Sequence, residues 1–225
     1  MKIILFGATG MVGQGALREC LLDETVSEVV TVGRTATGQS HPKLKDRVAK
    51  DLFDLSALDA DLRGADACLF CLGVTSAGMT ESAYTRITHD LTLAVAGHLA
   101  QLEPGMVFIY ISGAGADASE RGRIMWARVR GRTENDLRRL PLRRVYVFRP
   151  SFIQPLHGIR SRTGWYQLLY AVFRPLAPLV RTLFPGAILT TESLGRAMLL
   201  AARQGAPKEV LEARDLNALV DAAKA

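Results

Sequence analysis

Short apolar runs and amphipathic stretches alternate along the first 150 residues of the chain. The run KIILF ends at Gly7 and is typical of a buried parallel strand. Similar runs predict further strands at residues 26–33, 47–52, 65–73, 105–113 and 143–150. Apolar residues at helical spacing predict helices at residues 11–22, 83–102 and 123–140. Strands that alternate with helices indicate repeated β-α-β units, and therefore a mostly parallel α/β sheet with helices on both faces.

The regular alternation stops after Pro150. The stretch at residues 165–184 is apolar, but its two prolines prevent it from forming one straight helix. A helix is predicted at residues 191–203, with Thr190 or Thr191 available as its N-cap. No internal repeat, low-complexity tract or linker divides the sequence.

Composition and length are those of an ordinary globular protein. The chain has 225 residues, of which 48% are hydrophobic and 22% charged, enough for one well-filled domain. The opening apolar run is too short for a signal peptide, and no stretch reaches the length of a membrane span. We therefore expect a cytoplasmic location and no membrane binding.

Three cysteines, an odd number, suggest no disulfide framework. Cys68 and Cys71 form a C-x-x-C motif within an apolar run that predicts a strand. Residues three apart on a strand face opposite sides, and no second Cys or His pair lies nearby to complete a zinc site. We expect buried strand cysteines and no metal site.

The glycines of LFGATGMVG follow the first predicted strand directly. Glycines at this turn let the backbone approach a pyrophosphate, while amide groups and the helix dipole attract its negative charge. A purely structural glycine-rich turn is the alternative. The context of strand, turn and helix favours a dinucleotide site. The residues assigned to it here are Gly7, Thr9, Gly10, Met11, Val12 and Gly13.

The ends of the next strands extend this predicted site. Arg34 follows the second strand, where an enzyme selective for NAD(H) usually has an acid. Its planar fork of donors suits a 2′-phosphate, so NADP(H) is favoured over NAD(H); an exposed turn arginine is the alternative. Asp51, with Leu52 beside it, follows the third strand, where a carboxylate can accept from the adenine amino group. Leu72 and Gly73 end the fourth strand, where backbone can lie against the adenosine ribose.

The net charge of +6 is unevenly distributed. Residues 121–149 carry ten arginines against two acids, or +8, which leaves −2 for the rest of the chain. Such a segment can attract nucleic acid or anionic lipid. Arg128, Arg132 and Arg139 lie near one side of the predicted helix, and no aromatic residues interleave these three as stacking platforms. We therefore favour a solvated helix face with a few cofactor-phosphate contacts, and we do not expect nucleic-acid binding.

The motifs GATGMVG, TVGR, CLG, YISGAG and FRPSFI occur in this order over the first 155 residues. In this the chain resembles the atypical, extended-type short-chain dehydrogenase/reductases. It is most similar to small epimerase/dehydratase-like proteins and the Tat-interacting-protein branch, whose members bind NADPH. The resemblance implies a Rossmann-type, doubly wound parallel sheet in a single domain over residues 1–225. Residues 1–154 would form the dinucleotide-binding core and residues 155–225 a substrate-side extension.

The resemblance also implies catalytic positions. Ser112 matches the family's Ser at the end of the fifth strand. The family's Tyr, its acid/base, and the Lys four residues later, which binds the nicotinamide ribose, correspond to Trp126 and Arg130. Arginine still donates to ribose hydroxyls, but an indole N–H has no usable acid/base chemistry. Trp126 is either a packed aromatic residue or a cation–π partner of Arg130. Tyr84 and Tyr110 are other phenols, and nothing in the sequence places them beside the nicotinamide.

In FRPSFI, Pro150 and Phe152 match the family segment beneath the nicotinamide, although a strand end with a proline turn gives the same pattern. The apolar stretch at residues 165–184 matches the family's substrate lid, with a dimer surface or a membrane-facing patch as alternatives.

Two functions follow. The first is an NADP(H)-dependent oxidoreductase or epimerase-like enzyme acting on a small apolar carbonyl compound. In it Ser112 orients the substrate oxygen, Arg130 binds the ribose, and water or another group supplies the proton. The second is a non-catalytic NADP(H)-binding sensor or regulatory protein that acts through a protein partner. The sequence identifies no substrate or partner, and leaves monomer and homodimer open.

Overall fold

The computed structural model describes residues 1–159 and 188–223. In this part of the chain nine strands are present: β1 (Lys2–Phe6), β2 (Glu28–Gly33), β3 (Leu44–Val48), β4 (Ala67–Phe70), β5 (Val107–Ile111), β6 (Arg144–Arg149), β7 (Phe152–Gln154), β8 (Ile188–Thr190) and β9 (Val210–Glu212). Seven of them form a parallel sheet in the order β3-β2-β1-β4-β5-β6-β9. The other two, β7 and β8, form a small parallel pair.

Helices cover both faces of the large sheet. The α-helices in the described residues are α1 (Met11–Leu22), α2 (Asp59–Leu62), α3 (Glu81–Thr85), α4 (Leu91–Leu102), α5 (Met125–Leu137), α6 (Thr191–Gln204) and α7 (Ala213–Ala222). One hydrophobic core packs α1, α6 and α7 against one face, and a second core packs α4 on the other. The predicted doubly wound Rossmann-type sheet is confirmed.

The third strand differs from its prediction at residues 47–52. β3 runs from Leu44 to Val48, and Val48 pairs with Gly33 at the end of β2. Ala49 donates its amide to the Gly33 carbonyl at 2.9 Å, and the chain then leaves the sheet. The mixed polarity of β3 explains the error, because LKDRV is half-exposed and carries a weaker apolar signal than the strands in the core.

The helical region before β5 begins earlier than predicted and contains an irregularity. Thr80 caps it by accepting from the Ala83 amide at 3.3 Å, and α3 begins at Glu81. A π-helical turn at Arg86–Asp90 then joins α3 to α4. A π turn is a local irregularity inside an otherwise helical segment, which the sequence pattern predicted as one regular helix.

The chain after residue 154 is more than a substrate-side segment. The α6 helix begins as predicted, with the Thr190 hydroxyl accepting from the Ser193 amide at 2.9 Å. Its first turn packs closely on α1, because a Cβ on Gly15 would lie 2.7 Å from the Thr191 Cβ. β9 then supplies the seventh strand of the sheet. The apolar stretch at residues 165–184, predicted to be a lid, lies outside the described residues.

Much of the arginine-rich segment is engaged in ion pairs. Arg128 contacts Glu81 at 2.7 Å, and Arg139 contacts Asp136 at 2.7 Å. Arg132 lies 3.7 Å from the same Asp136 carboxylate. These contacts reduce the positive charge that the segment presents to solvent. Within the described ranges, every helix is too short or too polar to span a bilayer.

Candidate cofactor and active site

The order of the sheet reverses between β1 and β4, which are neighbours although two strands separate them along the chain. In open parallel sheets the carboxyl ends of the strands at such a reversal form the ligand crevice. Most of the residues singled out from the sequence lie at this edge. Their geometry tests whether a dinucleotide fits.

The turn after β1 has the shape of a phosphate cradle. Gly7 has a φ of +77°, and a Cβ at this position would lie 2.7 Å from the Cys71 carbonyl carbon at the end of β4. A Cβ on Gly13 would lie 2.0 Å from the Gly7 carbonyl oxygen. The Gly10 amide donates to the same oxygen at 2.9 Å. A side chain at Gly7 or Gly13 would collide with backbone, so these two glycines are required by the close approach of the turn to the end of β4 and of α1 to the turn, whereas a Cβ on Gly10 would make only a tight contact, 3.3 Å from the Gly7 carbonyl oxygen.

The first turn of α1 carries no acidic side chain. Its N-cap is Gly10, and no side chain of the described residues caps it or places an acid in its first turn. Thr9, Met11 and Val12 are half-exposed there, and Gln14 donates to the Thr9 carbonyl at 3.0 Å. The backbone amides and the helix dipole therefore face the crevice without a competing negative charge. A dinucleotide pyrophosphate fits this end of the helix.

Of the residues predicted to bind the adenosine end, some lie where they were predicted and others do not. Arg34 is exposed and follows the last residue of β2, as predicted. Asp51 is also exposed, but it lies three residues beyond the end of β3. Its Oδ1 accepts from the Phe53 amide at 2.9 Å, and neighbouring Leu52 is buried. An adenine contact by Asp51 stays a prediction, since the carboxylate is already used in its own turn.

The C-x-x-C motif has the structural role expected for it. Cys68 packs in the core on one face of the sheet and Cys71 against the core on the opposite face. Burial raises the pKa of both thiols, which keeps them protonated. Leu72, which is half-buried, and exposed Gly73 follow, at the end of β4.

Ser112 takes part in a buried polar network. Its hydroxyl donates to Oε1 of Glu134 at 2.5 Å, and Glu134 has no exposed surface. The other side of this carboxylate receives the Arg149 guanidinium at 2.5 Å, and Arg149 also contacts Glu212 at 3.3 Å. The network ties β5, α5, β6 and β9 together. The predicted contact of Ser112 with a substrate oxygen stays a prediction, because its proton is directed at Glu134.

Arg130 lies across the ends of β4 and β5. Its Nε donates to the Tyr84 hydroxyl at 3.0 Å and its Nη1 to the Ile111 carbonyl at 3.4 Å. If Gly113 carried a Cβ, that atom would lie 3.7 Å from Nη1 of Arg130, and a Cβ on Gly73 would lie 4.0 Å from Nη2. Burial acts to lower the pKa of Arg130, but Tyr110, Tyr84 and Glu134 together outweigh it, and the net shift is upward. The guanidinium therefore stays charged at the strand edge.

Trp126 packs against the loop after β5. Its ring carbon Cη2 lies 3.5 Å from a Cβ position on Gly115, which has a φ of +86°. The cation–π contact found in the described residues is Arg86 over Phe53, at 5.1 Å. Arg130 instead binds Tyr84 and Ile111, so the packed-aromatic interpretation of Trp126 fits the geometry.

The segment FRPSFI lies beside the same loop. The Pro150 carbonyl accepts from the Ala114 amide at 3.1 Å, and the Phe148 carbonyl accepts from the Ser112 amide at 2.8 Å. Phe152 begins β7 and is half-buried. The structure thus brings Pro150 to the end of β5, close to Ser112.

Three residues of this region were not predicted to act there. Tyr84 is 1% exposed and Glu134 fully buried, yet each meets a predicted site residue, Arg130 or Ser112. Arg149 completes the set by binding Glu134. The one sequence signal was the position of Glu134, four residues after Arg130 on the same helix, since such residues share a face.

Comparison with known proteins shows which chains this one is similar to. No family model matches it. It is 26% identical over 153 residues to the protein FMP52, mitochondrial, of Chaetomium globosum, which covers 67% of this chain and 65% of that protein. It is 27% identical over 155 residues to the protein HTATIP2 of Rattus norvegicus, which covers 68% of this chain and 62% of that protein. The chain is thus similar to FMP52 and HTATIP2, which supports its resemblance to the atypical short-chain dehydrogenase/reductase-like proteins.

The chain thus spans slightly less than two thirds of the length of these relatives. Solved structures of the same fold include the Bordetella bronchiseptica enzyme WbmH in complex with NAD⁺, with a TM-score of 0.65 and 15% identity over 94% of this chain and 74% of that one. The UDP-glucose 4-epimerase of Thermotoga maritima with UDP-glucose has a TM-score of 0.65 and 16% identity over 99% of this chain and 82% of that one. At this identity the likeness concerns the fold.

The predicted cytoplasmic location is contradicted by these comparisons. Several FMP52 relatives, from Chaetomium globosum, Emericella nidulans and Aspergillus oryzae, are named mitochondrial. The prediction was wrong because it relied on missing secretory and membrane signals, which do not distinguish the cytosol from an organelle.

Proposed function

We propose that this short-chain dehydrogenase/reductase-like protein binds NADP(H) and reduces small apolar carbonyl compounds at a non-standard active site. The observation that carries the proposal is the turn after β1. A Cβ on Gly7 or Gly13 would collide with backbone there, and the first turn of α1, which carries no acidic side chain, faces the crevice. Glycines that only end a strand do not need this geometry, whereas a pyrophosphate does.

The preference for NADP(H) rests on Arg34. This arginine is exposed at the end of β2, where NAD-selective enzymes place an acid that binds the ribose hydroxyls. A guanidinium attracts the 2′-phosphate and offers it two parallel hydrogen bonds. The solved structure of WbmH with NAD⁺ supports a nicotinamide dinucleotide as the ligand class for this fold.

The nicotinamide end of the dinucleotide is assigned to the ends of β4 and β5. There Arg130 presents Nη1 and Nη2 next to Gly113 and Gly73, which have no side chains to block a ligand. Two adjacent donors match two neighbouring ribose hydroxyls. Bound NADPH supplies a hydride, and Arg130 and Pro150 shape the place where a substrate carbonyl meets it. The proton reaches the product oxygen from water, because Trp126 has no exchangeable acid.

A non-catalytic role is the second candidate, and a specific observation favours it. The Ser112 hydroxyl is directed at Glu134, and Trp126 packs against Gly115 where the family has its Tyr. A positioned general acid typically contributes about 10² to 10⁴ in rate, so both changes remove standard catalysis. In this alternative the protein is a sensor whose NADP(H) occupancy alters its affinity for a protein partner.

Titration calorimetry with NADPH and NADH tests the binding proposal. We expect wild-type protein to bind NADPH more tightly than NADH, and Arg34→Ala to lower NADPH affinity by about tenfold while NADH affinity stays the same. Arg121→Ala, an exposed arginine just before the segment that leads to α5, is the matched control. Absence of heat with either dinucleotide overturns the proposal, and tighter binding of NADH overturns the NADP(H) preference alone.

A further inference from the structure

Arg130 differs from the other arginines of its helix in the groups that surround it. Arg128 and Arg132 pair with the carboxylates of Glu81 and Asp136. Within residues 1–159 and 188–223, Arg130 forms no such ion pair, although its side chain is more enclosed than that of Arg132. Its partners are a phenol and a backbone carbonyl, neither of which neutralises its charge. An enclosed cation without a carboxylate in direct contact is suited to a ligand that brings negative charge or polar oxygens.

The hydroxyl of Tyr84 determines how this cation is oriented. The Tyr84 ring is 1% exposed on α3, packed behind the strand ends, so its hydroxyl is held in one place. It accepts from Nε of Arg130 at 3.0 Å, and the Ile111 carbonyl accepts from Nη1 at 3.4 Å. Two anchors on different nitrogens fix the plane of a guanidinium. The outer edge of the guanidinium remains available to a ligand, with Nη2 beside Gly73 and Nη1 beside Gly113.

A lysine at position 130 would not need this arrangement. An ammonium is a compact charge whose donors rotate freely, whereas a guanidinium is planar and binds well only in the correct plane. Replacing the family Lys by Arg therefore creates a need for an anchor at Nε. Tyr84 meets that need from a helix that is distant in sequence.

We propose that Tyr84 is a positioning residue that holds the Arg130 guanidinium edge-on to the crevice for the nicotinamide-ribose half of the dinucleotide. The inference rests on the proposed function, because it assigns that half of the ligand to the ends of β4 and β5. It adds a residue outside the motifs that define the family resemblance. Tyr84 acts through Arg130 and does not contact the ligand.

The test compares two ligands that share one half. NADPH carries both the adenosine 2′-phosphate half and the nicotinamide ribose, whereas adenosine 2′,5′-bisphosphate carries the first half alone. Tyr84→Phe keeps the buried ring and removes the hydroxyl. We expect this substitution to weaken NADPH by about tenfold, the effect of one lost hydrogen bond to a charged group, and to leave the bisphosphate affinity within about twofold.

Tyr146→Phe is the matched control. Tyr146 is also buried, at 5% exposure, and its hydroxyl accepts from the Ala206 amide at 3.1 Å, away from the strand ends of the crevice. Its substitution removes one hydroxyl from a buried ring, as Tyr84→Phe does. We expect it to lower the thermal midpoint without changing the ratio of the two affinities.

A double-mutant cycle tests whether Tyr84 works through Arg130. In an Arg130→Met background, Tyr84→Phe is expected to have no further effect on NADPH affinity. If Tyr84→Phe lowers the affinity for both ligands equally, the role of Tyr84 is structural and the inference is overturned. Unchanged NADPH affinity in Tyr84→Phe also overturns the inference. If wild-type protein binds neither ligand, the proposed function fails and the inference fails with it. Binding of both ligands with no selective effect of Tyr84→Phe removes the inference alone.

Discussion

The hydroxyl of Ser112, at the end of β5, donates to the buried carboxylate of Glu134 on α5 at 2.5 Å. Glu134 is at the same time paired with Arg149 at the end of β6. A serine whose position suggests contact with substrate is thus part of the network that holds this edge of the sheet to α5. A buried carboxylate needs such donors, because leaving one of its oxygens without a partner is costly.

Ser112→Ala is expected to affect folding more than ligand binding. Removing the hydroxyl leaves Oε1 of a fully buried carboxylate with the Arg149 Nε, at 3.1 Å, as its remaining side-chain donor, which should lower the free energy of unfolding by about 1–3 kcal/mol. Urea unfolding measures this. Ser119→Ala removes a hydroxyl from an exposed loop position and should change stability by less than about 0.5 kcal/mol. Unchanged stability with lost NADPH-dependent turnover would instead favour the contact with substrate.

Gly15 and Gly97 give opposite predictions for the same substitution. A Cβ on Gly15 would lie 2.7 Å from both Cβ and the carbonyl oxygen of Thr191, so Gly15→Ala should force α1 and α6 apart at a cost of about 1–3 kcal/mol. A Cβ on Gly97 in α4 meets nothing within 4 Å among the described residues. Gly97→Ala should therefore stabilise the protein by about 0.5–1 kcal/mol through helix propensity. Thermal unfolding of both variants checks the signs, and destabilisation by Gly97→Ala would contradict the packing of α4 described above.

Trp126→Tyr is expected to increase turnover. It places a phenol on the helical face of Arg130, four residues away, where the family has its acid/base. We expect NADPH oxidation with aldehydes, ketones and quinones to be slow in the wild type and to rise by about 10² to 10⁴ in the variant. Trp126→Phe has no hydroxyl and should stay slow. Equal rates for the Tyr and Phe variants would mean that the phenol does not reach the substrate, and no turnover in any of them would favour the non-catalytic alternative.

Asp61 should contribute to a loss of stability in acid. A hydrogen bond from the Arg47 side chain holds the pKa of Asp61 below its usual value. Its pKa is lower in the folded than in the unfolded state, so its contribution is fully present above about pH 4 and is lost as the pH falls through the folded-state value. Asp61→Asn should therefore reduce the difference in unfolding free energy between pH 6 and pH 3. Glu24→Gln, at an exposed position, is the control, and an unchanged pH profile for Asp61→Asn would contradict the prediction.

Local patterns determined the fold and the cofactor half of the site. The apolar strands were predicted because a strand buried on both faces needs a continuous apolar run, as in KIILF. Gly7, Gly10 and Gly13 were predicted to form a tight turn, and the structure places backbone where the side chains of Gly7 and Gly13 would be. The edge strand β3 was misplaced, because a half-exposed strand has no such run.

Tertiary structure decided the catalytic half of the site. The partners of Arg130 and Ser112 are Tyr84, 46 residues away along the chain, and Glu134, 22 residues away. No periodicity in the sequence records such distances, since the pairing depends on how α3 and α5 pack on the strand ends. The family resemblance predicted that Trp126 stands at the position of the family's tyrosine. The contact between Tyr84 and Arg130 was decided by the packing of α3 and α5, because two side chains 46 residues apart can form a hydrogen bond only when the fold brings their helices together.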